Sequence, residues 1–299
     1  MFGTMFVLSR SSGAPRLKLL KPGMMCGVLF GAAITVAADP MVFTYKVGGF
    51  EVYMLVENRG QGRSSILIGA NDAQLKQYVP GGTYQSETNT FLIRTPDRII
   101  LVDTGFGSTL FESMGVLGIK PEQVDTVLLT HLHGDHIGGL QKNGQALFPK
   151  AEVYLAHQER EYWTKTNVNQ SAVAALAPYG SRVHTFLPGD LGAAGELLPG
   201  ITPIAAFGHT PGHTLYLVTS AGKKLLIWGD LMHVQGIQFP LPAISVSYDT
   251  DPAAAAAIRR RVLEYAAQNS IPVGGMHLNY PAVGTVRAEG DGFGFRPLN

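Results

Sequence analysis

Cysteine is nearly missing from this chain: one occurs, Cys26, inside the apolar run Pro22 to Val36, "PGMMCGVLFGAAITV". A protein trimmed after that run holds no thiol, which excludes disulfide staples and thiolate metal ligands. Charge is sparse as well. Charged residues make up 15% of the chain and the formal net charge is +1, so no basic surface argues for nucleic acid and no acidic excess for a basic partner. The run Pro22 to Val36 also falls short of the ~20 apolar residues that a spanning helix needs. Arg10, Arg16, Lys18 and Lys21 precede it without an arginine pair, and Ala37-Ala38-Asp39 follows, the pattern of a cleavable signal for the general export route. We therefore expect residues 1–38 to be a signal peptide and 39–299 the mature domain, periplasmic or secreted and without stable membrane association after cleavage. A membrane anchor is the alternative. No GxSxG arrangement is present, so a serine hydrolase of that kind is not indicated.

What the chain does have is 45% hydrophobic residues and 36 glycines in a length of 299, suited to a single α/β domain. Phe43 to Leu55 alternates as two strands around Gly48-Gly49, and Thr90 to Gly105 reads as a hairpin turning at Pro96-Asp97. A strand over Thr126 to Thr130 follows a helical turn opened by Pro121, and Ala151 to Ala156 is another strand. "HQEREYW" and "SAVAALAPYG" look helical, and Thr214 to Asp230 is a hairpin turning at Ala221-Gly222. Asp249 to Gln268 carries a helix capped by Thr250 or Asp251, with Pro252 in its first turn, and a last hairpin turns at Gly290 to Gly292. There is no linker, low-complexity tract or repeat.

Of nine histidines, three stand with an aspartate in "THLHGDHIGG", Thr130 to Gly139, where a predicted strand ends. In an extended loop His131 and His133 share a side, while Asp135 and His136 follow a glycine that lets the chain turn. One zinc takes three or four protein ligands, so this density points to two metals or to spectators. Further candidates stand beside other strands: His213 in "GHTPGHT", Asp230 in "WGD" and His277 in "GGMH". Seven ligands from four loops suit a binuclear site with one bridging carboxylate.

This order, HxHxDH, then His, Asp and His, resembles the metallo-β-lactamase superfamily along nearly the whole mature chain. The resemblance implies an α/β, four-layer αββα sandwich in a single domain, with the site at the edge where two sheets meet. It gives one metal to His131, His133 and His213, the other to Asp135, His136 and His277, and a bridging place to Asp230. Two divalent ions are implied, Zn2+ first, with Fe, Mn or Co compatible with the same donors. They would generate a bridging hydroxide nucleophile and polarise the scissile group. Asp103 in "VDTG" is expected behind the metal loop, orienting a ligand, and His209 is expected to be structural.

Within the superfamily, "NTFLIRTPDRIILVDTG", "AFGHTPGHTLYLV" and "RAEGDGFGFRPLN" look most like the methyl parathion hydrolase group, which implies a small-molecule lactone, ester or phosphotriester substrate and a homodimer. Asp135 and His233 are the expected catalytic residues. Acyl-homoserine lactonases have a tyrosine at the position of His233, three residues after the bridging aspartate, and a polar group there could orient the carbonyl or protonate a departing alkoxide. This favours lactones or aryl esters, with an organophosphate phosphotriesterase as the alternative. Phe106 or Phe111, Tyr162 and Trp163, and Val246 and Tyr248 are candidates for the substrate cleft. A glyoxalase-type thioesterase, relying on Arg287 and Arg296, and a metal-bearing protein without turnover are weaker rivals.

Overall fold

The computed structural model describes residues 41–298; the expected signal peptide lies outside them. Alternation in one strand shows how the layers form. Strand β2 (Phe50–Arg63), paired with β1 (Val42–Val47), turns Val52, Met54 and Val56 to one core cluster and Tyr53 and Leu55 to another, all buried. A strand buried on both faces belongs to an inner layer.

Five more strands complete this sheet: β3 (Thr83–Arg94), β4 (Ile99–Val102), β5 (Thr126–Leu128), β6 (Glu152–Ala156) and β7 (Val183–Phe186), in the order β1 to β7. Pairings are antiparallel up to β4 and parallel from β4 to β7. The second sheet holds β8 (Ile201–Ala205), β9 (Thr214–Ser220), β10 (Lys223–Ile227), β11 (Val273–Gly274), β12 (Val283–Glu289) and β13 (Gly292–Pro297), again in chain order. One core cluster joins Met54, Phe91 and Val102 of the first sheet to Tyr216, Leu226 and Val283 of the second, and takes in Val262 and Leu263 of the helix Pro252–Gln268. The other packs the opposite face of the first sheet on helices Leu110–Val116 and Gln170–Leu176. The architecture is the expected αββα sandwich. Asp251 caps the long helix by accepting from the Ala254 amide, with Pro252 beginning it.

Strands β4, β5 and β6 run one way in the first sheet, and β8, β10 and β11 share a direction in the second. The segments that follow them carry Asp103, His131 to His136, Glu159, His209, Asp230 and His277. Reactive groups thus gather where strands deliver their carboxyl ends, on loops held by a rigid scaffold.

Two local expectations change. The strand expected to end at Leu55 continues to Arg63, beyond a register shift between Val56 and Asn58, because its outer part pairs with Thr83 to Thr88. The polar "ENRGQGR" carries no apolar alternation to announce it. The ligand stretch is extended only to His133, after which Gly134–Ile137 closes into one helical turn.

Candidate metal centre

Nitrogen and carboxylate atoms from four segments converge. Nε2 of His209 lies 3.2 Å from Nε2 of His131 and 3.0 Å from Nδ1 of His133. Oδ2 of Asp230 lies 3.3 Å from Nε2 of His209 and 3.6 Å from Nε2 of His131. On the other side, Nε2 of His277 lies 3.4 Å from Oδ2 of Asp135 and 3.2 Å from Oδ2 of Asp230. Nε2 of His136 is 3.7 Å from Asp135 Oδ1 and 3.1 Å from Asp230 Oδ1. Asp230 therefore reaches both groups with one carboxylate.

His213 is not in this gathering, and the structure corrects that expectation. Its Nδ1–H donates to the Ala206 carbonyl at 3.0 Å and its Nε2 accepts the Asp230 amide at 3.0 Å, so both ring nitrogens are committed inside the protein. His209, expected to be structural, stands in its place. The reason lies in the loop: His213 directly precedes β9 and turns its ring under Asp230, while Gly208, at φ 139°, brings the chain hard against the long helix. A Cβ on Gly208 would sit 2.3 Å from the Ala255 amide nitrogen, so only glycine permits that approach.

Outer partners set which nitrogen faces inward. Asp249 Oδ1, Asp103 Oδ2 and the Glu87 carbonyl stand 2.8, 2.7 and 2.7 Å from Nδ1 of His209, His136 and His277. An ionised carboxylate or a carbonyl can only accept, so each Nδ1 carries the proton and each Nε2 offers its lone pair to the centre. Asp103, at φ 59°, also accepts from the Thr130 amide and hydroxyl, both at 2.7 Å, which places it behind the ligand loop. Burial tends to raise the pKa of Asp249, but the His209 hydrogen bond outweighs it and keeps the carboxylate ionised.

Glu159 was not singled out in the sequence. Its fully buried carboxylate accepts from Leu132 N (2.9 Å), Trp163 Nε1 (2.6 Å), Thr210 Oγ1 (2.7 Å) and Gly212 N (2.8 Å). One side chain thereby ties the loop of His131 and His133 to that of His209.

The donors fit a pair of divalent cations. His136 Nε2 and Asp230 Oδ1 are buried without a hydrogen-bond partner, which is costly unless something else binds them. Burial, with neighbouring imidazoles adding to it, pushes His133 down to about 3 and His131 well below the usual range, so both stay neutral. Burial works to raise Asp230, but His136, His277 and His131 outweigh it and hold the carboxyl well below the usual range. Burial works to lower His136, His209 and His277, but the carboxylates they face outweigh it and raise all three, favouring positive charge where a cation would sit. Imidazoles around an ionised carboxylate, without thiolate, suit zinc and also iron, manganese or cobalt.

A cavity of about 470 Å³ opens beside Asp135, Asp230 and His277. Phe106 and Tyr248, 50% and 53% exposed, both line it. Val246 does not: it is fully buried and pairs with Leu67 in a short ladder. Trp163 also lies off the cavity, its indole donating to Glu159 and its ring 5.5 Å from that of His133, while Phe111 stacks on Phe148 in the core. These aromatics were drawn inward by nearby core that a linear reading does not show. Arg287 and Arg296 are not among the lining residues, whereas Arg63 and Tyr84 of the β2–β3 hairpin are. His233 lines the cavity with Nε2 3.1 Å from Asp230 Oδ2 and Nδ1 buried and unpartnered. Burial pushes it down to about 4, so it is neutral.

Fold and site together define an αββα sandwich with overlapping His/Asp groups that could hold metal ions, His233 among them beside Asp230 and His277. A model of the metallo-beta-lactamase superfamily matches residues 83–270, and the chain belongs to that superfamily. The Bacillus subtilis (strain 168) protein YobT, uncharacterized, is 29% identical over 171 residues, 52% of this chain and 71% of that one. Among solved structures, the hydrolase AbOPH of the beta-lactamase superfamily superimposes with a TM-score of 0.79 at 28% identity, covering 86% of this chain and 97% of that one. AidC, a dizinc quorum-quenching lactonase in complex with a product, gives a TM-score of 0.77 at 24% identity over 87% and 98% of the two chains, a likeness of fold. Superfamily membership and the His/Asp clusters support a metal-dependent hydrolase.

Proposed function

We propose that this protein is a binuclear metallohydrolase that opens lactones or cleaves aryl esters. The observation that carries the reading is Asp230, whose one carboxylate reaches both groups of imidazole nitrogens, Oδ2 facing His131, His209 and His277 and Oδ1 facing His136. His131, His133 and His209 would hold one ion and Asp135, His136 and His277 the other, with Asp230 shared. Two divalent ions held there would supply Lewis acidity and lower the pKa of water toward neutrality.

The protein's part is to orient and to exclude. Asp103, Asp249 and the Glu87 carbonyl hold three imidazoles in one tautomer, so the donor set is built before substrate arrives. Phe106 and Tyr248 flank the cleft with apolar surface suited to an aryl or acyl group. Neutral His233 lines the cleft with Nε2 3.1 Å from Asp230 Oδ2; with Asp230 engaged by metal, that N–H would be free to orient the carbonyl or the departing alkoxide.

A phosphotriester is the second reading, favoured by the sequence resemblance to methyl parathion hydrolase and by the aromatic cleft mouth. Export to the periplasm and a homodimer belong to the same proposal. The test is kcat/KM of protein beginning at Asp39, loaded with zinc, on an aryl lactone and on a dimethyl nitrophenyl phosphotriester. A lactone preference of several decades supports the first reading and the reverse preference the second. Turnover of either should vanish in Asp135→Ala; turnover that survives there would remove the metal centre from the chemistry.

A further inference from the structure

The β2–β3 hairpin extension forms a wall of the cleft that the metal centre does not use. Asn58, Gly62 and Arg63 of β2 and Tyr84, Ser86 and Thr88 of β3 line it. Their pairing, Asn58 with Thr88, Gly60 with Ser86 and Gly62 with Tyr84, puts alternate residues on one face. Tyr84 is seated by its partner: a Cβ on Gly62 would lie 2.2 Å from Tyr84 Cζ and 2.5 Å from its hydroxyl, so the ring crosses a strand kept bare for it. Burial, with Tyr248 adding to it, pushes the Tyr84 phenol up to about 12, which leaves it a neutral donor at any working pH.

Arg63 follows Gly62 at the cavity rim and is exposed. Among the described residues it makes no ion pair, whereas Arg59, earlier on the same strand, is tied to Glu87 at 2.8 Å. The carboxylates lining the cavity are Asp135 and Asp230, both committed to the metal cluster. Arg63, next after Gly62 where β2 ends, thus brings a cation whose fork matches a carboxylate to the lining of a cleft whose own carboxylates are already engaged.

We propose that this wall is an anion subsite in which Arg63 and the Tyr84 hydroxyl hold a carboxylate on the substrate, away from the scissile bond. The proposal rests on the hydrolase reading above and names its substrate class: esters or lactones that carry a second, free carboxylate. One end of such a molecule meets the metal centre and the other meets the hairpin.

Binding of product-like acids separates this from the chemistry itself. Calorimetry on the zinc-loaded protein compares each dicarboxylate with the monocarboxylate of equal length: succinate with butyrate, adipate with hexanoate, suberate with octanoate. At the length that spans the cleft, the dicarboxylate should bind about tenfold tighter. That preference should fall to within about twofold in Arg63→Gln, be partly kept in Arg63→Lys, shrink in Tyr84→Phe and weaken with salt. Arg63 is exposed, so its variants should fold, which thermal melts would verify. Equal binding of both acids at every length, or a preference untouched by Arg63→Gln, overturns the subsite. A dicarboxylate preference without turnover of any lactone or phosphotriester would leave the subsite standing and remove the hydrolase reading. Turnover without the preference does the reverse.

Discussion

Replacing Glu159 by glutamine keeps its size but changes what it can accept. The carboxylate takes four hydrogen bonds, Oε1 from Leu132 N and Trp163 Nε1, and Oε2 from Thr210 Oγ1 and Gly212 N. The amide has one accepting atom. With its oxygen toward Leu132 and Trp163, its NH2 faces Thr210, whose hydroxyl can turn to accept, and the Gly212 amide, which cannot. The opposite flip sets the NH2 against two donors that cannot turn, so it is the worse choice. One buried N–H left unsatisfied costs about 1–3 kcal/mol. Taking about 2 kcal/mol, the melting temperature of a domain this size should fall by about 4–8 °C. Because Leu132 lies between His131 and His133, and Thr210 beside His209, metal retention should fall as well, by about tenfold in competition with a chelator. Differential scanning calorimetry of the metal-free protein measures the first effect and the chelator titration the second. A variant within about 0.5 kcal/mol of the parent, with unchanged zinc retention, would show that the four hydrogen bonds do not hold the loops together and would refute the reasoning.

The other expectations concern the ligands and the cleft. His209→Ala should lose about one zinc equivalent per chain by elemental analysis, whereas His213→Ala should keep both ions while lowering the melting temperature, because His213 supports the Asp230 amide and does not face the centre. Equal metal loss in the two variants would contradict the placement of His209. His233→Leu should lower kcat on lactones while sparing or raising turnover of a nitrophenyl phosphotriester, whose leaving group is stable without help. A matched loss on both substrates would assign His233 to support of Asp230, 3.1 Å away, and not to the leaving group.

Much of this protein was legible along the chain because the signals are local. Gly48-Gly49, Pro96-Asp97, Ala221-Gly222 and Gly290 to Gly292 punctuate hairpins that form where they stand, and Asp251 with Pro252 starts the long helix. The density of histidine and aspartate after strand ends announced the metal chemistry, and six of the seven named candidates do converge. The choice between His209 and His213 was not legible, because both stand in "GHTPGHT" with equal chemistry. It depends on Asp249, 40 residues from His209, and on the Asp230 amide, 17 residues from His213, which claim one ring each. Trp163, Val246 and Phe111 likewise went to core or structural contacts that only packing reveals. Glu159, Arg63 and Tyr84 carry no motif at all. Sequence by itself determined which elements form and which atoms could bind a cation. Tertiary structure decided which of those atoms face one another, because facing is set by hydrogen bonds and packing between segments far apart in the chain.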